Sequence, residues 1–76
     1  MSNKTNPDKN FEIGLLLQQA RESKHIRQRE IAEHTGLSKN HISDVERGLS
    51  KASVELLLGY CEVLGMDPNE ILKFGQ

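Results

Sequence analysis

The sequence predicts an all-α domain, a compact bundle of five short helices joined by tight turns. Apolar residues recur at helical spacing from Phe11 onward, and no segment of strand length alternates apolar and polar residues. Glycines and helix-capping residues separate these periodic segments. The chain has 76 residues, which corresponds to one domain with a small core.

The N-terminal segment differs in composition from the rest of the chain. Residues 1–10 contain no apolar residue after Met1, and Pro7 is unfavourable inside a helix. We therefore expect residues 1–10 to form a disordered arm and residues 11–76 to form the folded domain. Helix one is predicted from Phe11 to about Ser23 because one helical face carries apolar side chains, at Ile13, Leu16, Leu17 and Ala20.

Helices two and three are predicted from their end signals. Helix two fits residues 28–34, and Gly36 stands where a left-handed residue would end it. Ser38 is a favourable N-cap for helix three, which is expected to run from Lys39 to about Arg47. The turn between the two helices is therefore about four residues long.

Helices four and five complete the bundle. Ser53 is the expected N-cap of helix four, residues 54–64, and Gly65 ends it. Asp67 is the expected cap of helix five, with Pro68 at its first position.

Helix four has two apolar faces, and they receive different predictions. One stripe is expected to face the core and consists of Val54, Leu57, Cys61 and Leu64. The other is expected, with Phe74 of the C-terminal segment, to form a homodimer surface, and consists of Leu56, Tyr60 and Val63. The alternative is that helix five covers this second stripe within one chain.

Composition excludes several kinds of protein. The single cysteine, Cys61, rules out an internal disulfide framework and fits a reducing compartment. No apolar segment approaches the length of a membrane span, so we expect a cytoplasmic location. The positions of His25, His34, His41 and Cys61 match no zinc-site spacing, and no nucleophile–base pair is apparent. The sequence thus predicts neither an enzyme nor a bound metal or cofactor.

Helices two and three have the layout of a helix-turn-helix unit, whose second helix places its N-terminal side chains in the major groove of DNA. Ile42 and Val45 form the predicted buried side of helix three. The predicted exposed side carries donors and acceptors suited to base edges, at Lys39, Asn40, Ser43 and Asp44. The net charge of −1 is weak evidence against DNA binding. The basic residues, however, cluster between Gln19 and Lys51.

Motifs in a fixed order resemble the XRE family of helix-turn-helix proteins, which includes the lambdoid phage repressors and Cro proteins. They are Arg21, the segment QREIA at 28–32, GLS at 36–38, ISDVERG at 42–48, LGMD at 64–67 and EIL at 70–72. The resemblance spans residues 13–72 and implies a lambda repressor-like fold that binds double-stranded DNA.

The resemblance also implies roles for individual residues. The four exposed residues of helix three fall on the base-reading positions of the family. Gln28 resembles a glutamine that contacts phosphate and supports the recognition helix, and Arg47 matches a phosphate-contacting position. Arg21 and Glu46 match an ion pair between helices one and three. We expect Arg27 and Lys51 to add phosphate contacts.

The chain departs from the family pattern at three positions. Arg27 stands at the N-cap of helix two, where a small polar residue is usual, and His25 stands where a glycine commonly ends helix one. Asp44 would repel phosphate unless it reads cytosine or pairs with Lys39 or Lys51.

The sequence therefore predicts a transcriptional regulator, a repressor or autoregulator, that binds a palindromic operator as a homodimer. The alternative is an antitoxin-like or adaptor module whose main partner is a protein and whose DNA binding is secondary.

Overall fold

The computed structural model describes residues 6–76, and helices joined by turns are the regular secondary structure there. The α-helices are α1 (Asn6–Ser23), α2 (Gln28–Thr35), α3 (Lys39–Glu46), α4 (Val54–Leu64) and α5 (Pro68–Leu72), followed by a 3₁₀ turn at Lys73–Gly75. The prediction of five helices is confirmed. No helix of this part of the chain is long and apolar enough to cross a membrane.

The first helix begins earlier than the apolar periodicity indicates. It starts at Asn6, so the predicted arm overlaps the first turns of α1. Pro7 is tolerated there because the first turn of a helix does not use its N–H groups within the helix. Residues 1–5 of the predicted arm lie outside the described residues.

The predicted caps place the helix ends. The hydroxyl of Ser38 accepts a hydrogen bond from the N–H of His41, and the hydroxyl of Ser53 accepts one from Leu56. Asp67 and Glu70 form a reciprocal capping box at the start of α5. These local contacts determine where α3, α4 and α5 begin.

The turn after α1 adopts a conformation that favours glycine but contains histidine. His25 has φ 58°, in the left-handed region. An L-residue in this region is less stable than glycine because its Cβ crowds the backbone. The departure noted at His25 is therefore accompanied by backbone strain.

The core lies between all five α-helices. Its apolar members are buried to 9% exposure or less, and they are Leu17, Ala20, Ile31, Ala32, Ile42, Val45, Leu56, Tyr60, Leu64 and Ile71. The inward-facing residues predicted for α3 belong to this set. Ile13 of α1, predicted inward, is partly exposed.

The prediction for α4 is confirmed for Leu64, which is a core residue, but it is wrong for Val54 and for two members of the other stripe. Leu56 and Tyr60 have no exposed surface, so they belong to the core and not to a homodimer surface, whereas Val54 is 71% exposed. The physical reason lies at Gly59, which shares the face of Leu56 and Tyr60. A Cβ at Gly59 would collide with the side chain of Thr35, so the absence of a side chain lets this face of α4 pack closely on α2.

Candidate nucleic-acid interface

The turn between α2 and α3 is held by local hydrogen bonds. Gly36 adopts φ 78°, and its N–H donates to the carbonyl of Ala32 at the end of α2. The hydroxyl of Thr35 accepts a hydrogen bond from the N–H of Leu37 at 3.3 Å. Ser38 then caps α3. Residues 28–46 therefore form a helix-turn-helix unit with a fixed turn.

The start of α3 presents polar side chains to solvent. Lys39 and Asn40 are exposed, and Ser43 is half-buried. Ile42 and Val45, on the opposite side, are buried in the core. The helix is thus anchored by its apolar side, and the amide of Asn40 and the ammonium of Lys39 are free to reach base edges.

Asp44 is paired with a cation other than those considered from the sequence. A guanidinium nitrogen of Arg47 donates to an Asp44 carboxylate oxygen at 3.0 Å. Both side chains are largely exposed, so the pair is screened by solvent and easily separated. Arg47 is therefore held beside the carboxylate in the free protein, and its expected phosphate contact requires the pair to open.

A basic depression lies beside the N-terminus of α2. It is lined by Arg21, Arg27, Gln28, Arg29 and Lys39. Three of the expected DNA contacts, Arg27, Gln28 and Lys39, are therefore neighbours here, and Arg29, for which the sequence predicted no contact, joins them. The free N–H groups of a helix N-terminus add to the attraction for an anion. Lys51 is exposed in the segment between α3 and α4 and does not line this depression.

The N-terminus of α2 lacks a side-chain cap, as its sequence predicts. The side chain of Arg27 makes no capping hydrogen bond. The N–H of Arg27 instead donates to the carboxylate of Glu30 at 3.0 Å. The guanidinium of Arg27 remains exposed and available to an anion.

A buried carboxylate joins four helices behind the exposed face of α3. Glu46 is 2% exposed and receives hydrogen bonds from Arg21 of α1, Gln28 of α2 and Tyr60 of α4. The Nε and Nη2 of Arg21 donate at 2.8 and 3.0 Å, and the Gln28 amide donates at 3.0 Å. We call these four residues the Glu46 cluster. The expected Arg21–Glu46 pair is present, and its geometry is bidentate.

The hydrogen bonds of the cluster determine the protonation of Arg21 and Tyr60. Hydrogen bonding to Glu46 raises the pKa of Arg21, so the guanidinium stays protonated. Burial raises the pKa of Tyr60, and its hydrogen bond to Glu46 raises it further, so the phenol stays neutral. The Tyr60 hydroxyl lies 2.6 Å from a Glu46 oxygen.

This role of Tyr60 is not predicted by its sequence pattern, which placed it on a homodimer surface. The signal that could have found it is the tyrosine itself. A buried tyrosine hydroxyl usually has a hydrogen-bond partner, so a polar partner for Tyr60 could have been sought in the other helices. The other residues assigned to the homodimer surface, Val63 and Phe74, are half-buried and pack against the core.

Comparisons with known proteins agree with this geometry. A helix-turn-helix family profile matches residues 17–71. The ImmF control region 10 kDa protein of Bacillus phage phi105 is 33% identical over 61 residues, which cover 80% of this chain and 67% of the phage protein. An uncharacterized HTH-type transcriptional regulator of Mycobacterium tuberculosis is 41% identical over 44 residues, which cover 58% of this chain. The chain spans about a third (31%) of the length of that regulator.

A solved structure extends the likeness to three dimensions. The restriction-modification controller protein C.AhdI from Aeromonas hydrophila superposes with a TM-score of 0.75 at 26% identity. The match covers 84% of this chain and 97% of the controller protein. The order and packing of the helices are therefore shared over most of both chains.

Proposed function

The chain belongs to the helix-turn-helix family of DNA-binding transcriptional regulators, and from this premise we propose that it is a repressor or autoregulator that binds a palindromic operator as a homodimer. Lys39, Asn40 and Ser43 read bases in the major groove, and Asp44 joins them when Arg47 moves to a phosphate. Arg27, Gln28, Arg47 and Lys51 bind phosphates. Occupation of an operator within a promoter then blocks transcription by occlusion.

One observation carries this proposal. The exposed N-terminal side chains of α3 stand next to the basic depression of α2, and the Glu46 cluster fixes the two helices relative to each other. Phosphates bound in the depression position the protein, while α3 supplies the sequence preference. The same arrangement gives binding that weakens as salt concentration rises.

A protein-interaction module is the second candidate. The Asp44–Arg47 pair favours this candidate. Arg47 is one of the expected phosphate-binding residues, and in the free protein its guanidinium is already paired with the carboxylate of Asp44 on α3. The two candidates differ in what they select. A sequence-specific DNA-binding protein enriches one sequence from random DNA, whereas a protein-interaction module with secondary DNA binding enriches none.

The test is binding-site selection from a random duplex library, repeated with the Asn40→Ala and Asn69→Ala variants. Both asparagines are exposed and stand at the second position of their helices, so Asn69→Ala is a matched control remote from α3. We expect Asn40→Ala to weaken specific binding by about 1–3 kcal/mol and to relax preference at one base position. Asn69→Ala should leave the selected site unchanged. An unselective wild-type pool would instead favour the protein-interaction module.

A further inference from the structure

Asp44 and Arg47 form an exposed ion pair at the C-terminal end of α3. A guanidinium nitrogen of Arg47 lies 3.0 Å from a carboxylate oxygen of Asp44. The side chains of Arg47 and Asp44 are 63% and 42% exposed. The proposed function needs the two groups apart, with the carboxylate at a base edge and the guanidinium at a phosphate. Both of these contacts therefore require the pair to open.

The backbone beneath the pair is held in place. The carbonyl of Asp44 accepts a hydrogen bond from the N–H of Leu49 at 2.8 Å, which closes the end of α3. Gly48 adopts φ 80°, and a Cβ at this position would lie 2.7 Å from the Cα of Phe11, so the end of α3 packs directly on α1. The pair therefore opens by rotation of the two side chains, while the helix keeps its position.

The two lysines that the sequence offered as partners of Asp44 lie elsewhere. Lys39 lines the basic depression beside Arg27 and Gln28. Lys51 lies in the segment after α3, and its side chain is exposed. Within the described part of the chain, Asp44 pairs with Arg47 and with neither lysine. Release of Arg47 therefore leaves the carboxylate without a cation.

The bound DNA determines whether that release is favourable. An unpaired carboxylate in the major groove is repelled by the phosphates on either side of it. A base that donates a hydrogen bond offsets this repulsion, and cytosine, through its N4 amino group, is the base that pairs with an aspartate in the groove. Guanine and thymine present acceptors there, so they leave the carboxylate unsatisfied. The position of Arg47 thus depends on the base that faces Asp44.

We propose that Asp44 determines sequence preference by restraining Arg47 until the carboxylate meets a cytosine. On DNA without that base the pair stays closed, and Arg47 adds no phosphate contact. On the operator the carboxylate accepts a hydrogen bond from the cytosine amino group, and Arg47 moves to a phosphate. Recognition of one base pair therefore adds a backbone contact, which widens the difference between specific and non-specific affinity. This inference rests on the proposed operator binding and deepens it.

The test is the salt dependence of binding to two duplexes, the site that the wild type selects and a random sequence. Each phosphate contact contributes about 0.9 to the slope of log affinity against log salt. On random DNA we expect the slope of Asp44→Asn to be steeper than that of the wild type by about 0.9 per bound chain, because Arg47 is released. The double variant Asp44→Asn/Arg47→Ala should return to the wild-type slope.

The selected site should respond differently. There Arg47 is already at a phosphate, so the slope of Asp44→Asn should equal that of the wild type. The ratio of selected to random affinity should fall by roughly 10-fold, and reselection with Asp44→Asn should relax one base pair. Glu12→Gln is the control, because it removes a carboxylate from the exposed surface of α1 beside the C-terminal segment. It should keep the wild-type slopes and ratio.

Any of three results would overturn the proposal. They are a wild-type slope for Asp44→Asn on random DNA, a steeper slope that persists in the double variant, and a selected site that Asp44→Asn leaves unchanged. The second result would attribute the gain to lost repulsion between the carboxylate and the phosphates, with no part for Arg47. The same gain in Glu12→Gln would attribute it to net charge and would equally refute the restraint.

Operator binding is tested separately by the wild type. A wild type that selects one site, together with an unchanged random-DNA slope for Asp44→Asn, would support operator binding and refute the restraint on Arg47. A wild type that selects no site would refute operator binding. In that case a steeper random-DNA slope for Asp44→Asn would still support the restraint, and an unchanged slope would refute it as well.

Discussion

Substitution of Tyr60 by phenylalanine tests the Glu46 cluster with the smallest change. Tyr60→Phe keeps the buried ring and removes only the hydroxyl that lies 2.6 Å from Glu46. A hydrogen bond to a charged group contributes about 1.5–3 kcal/mol. A domain of this size has a free energy of unfolding of roughly 4–11 kcal/mol, so the expected loss is a large fraction of the total. Each kcal/mol lowers Tm by about 4–8 °C in a domain of this length.

The same substitution has a signature at alkaline pH. The pKa of Tyr60 is raised in the folded protein, so its neutral form is favoured there. The stability that follows is complete below the unfolded pKa of about 10 and is lost as pH rises above that value, because only the unfolded chain releases the proton. Between pH 9 and pH 11 the wild type should lose about 1.4 kcal/mol from this residue. Tyr60→Phe should lack that loss.

The assay is urea unfolding of both proteins at neutral pH, pH 9 and pH 11. Cys61 also titrates with a raised pKa, but it is present in both proteins and cancels in their difference. We expect the stability gap between the proteins to be largest at neutral pH and to narrow at pH 11. A variant as stable as the wild type at neutral pH, or a gap independent of pH, would refute the assigned hydrogen bond.

Three further substitutions test the backbone and the DNA contacts. His25→Gly should stabilise the protein by roughly 0.5–1 kcal/mol in thermal unfolding, because glycine relieves the left-handed strain at φ 58°; no gain in Tm would argue against that strain. Gly14→Ala should destabilise it by about 1–3 kcal/mol or more, because the added Cβ would overlap the carbonyl oxygen of Val45 in α3; unchanged urea unfolding would exclude this close contact. Arg27→Ala should weaken binding to all DNA sequences alike and reduce the slope of log affinity against log salt by about one, whereas Lys73→Ala, a control on the acidic C-terminal third, should leave the slope unchanged.

Helix boundaries could be predicted from the sequence because short-range chemistry determines them. Ser38, Ser53 and Asp67 each accept a hydrogen bond from the N–H three residues on, so the capping residue and its partner lie in the same few positions of the sequence. The exposure of Lys39 and Asn40 could also be predicted, because the helical spacing of Ile42 and Val45 identifies the buried side of α3.

The orientation of α4 could not be predicted from its own sequence. Both of its faces are apolar, so hydrophobic periodicity does not distinguish them. Which face of α4 is buried depends on two residues that are distant in sequence. Thr35 packs where Gly59 has no side chain, and Glu46 accepts a hydrogen bond from the Tyr60 hydroxyl. The partner of Asp44 could not be predicted either. Lys39, Arg47 and Lys51 are all near it in sequence, and their spacing does not show which of them pairs with the carboxylate.

The helix α1 contacts the end of α3 and also lines an apolar groove where α1, α4 and α5 meet. Gly14 of α1 lies against the backbone carbonyls at the end of α3, while the neighbouring Ile13 and Leu16 line the groove. In the homodimer that we propose, the position of each α3 depends on its contact with the α1 of the same chain. One base pair inserted between half-sites would move the second half-site about 3.4 Å along the DNA and rotate it about 35° around the axis. We therefore expect the proposed homodimer, if its two subunits keep one fixed arrangement, to select the length of the spacer as well as the bases of the half-sites.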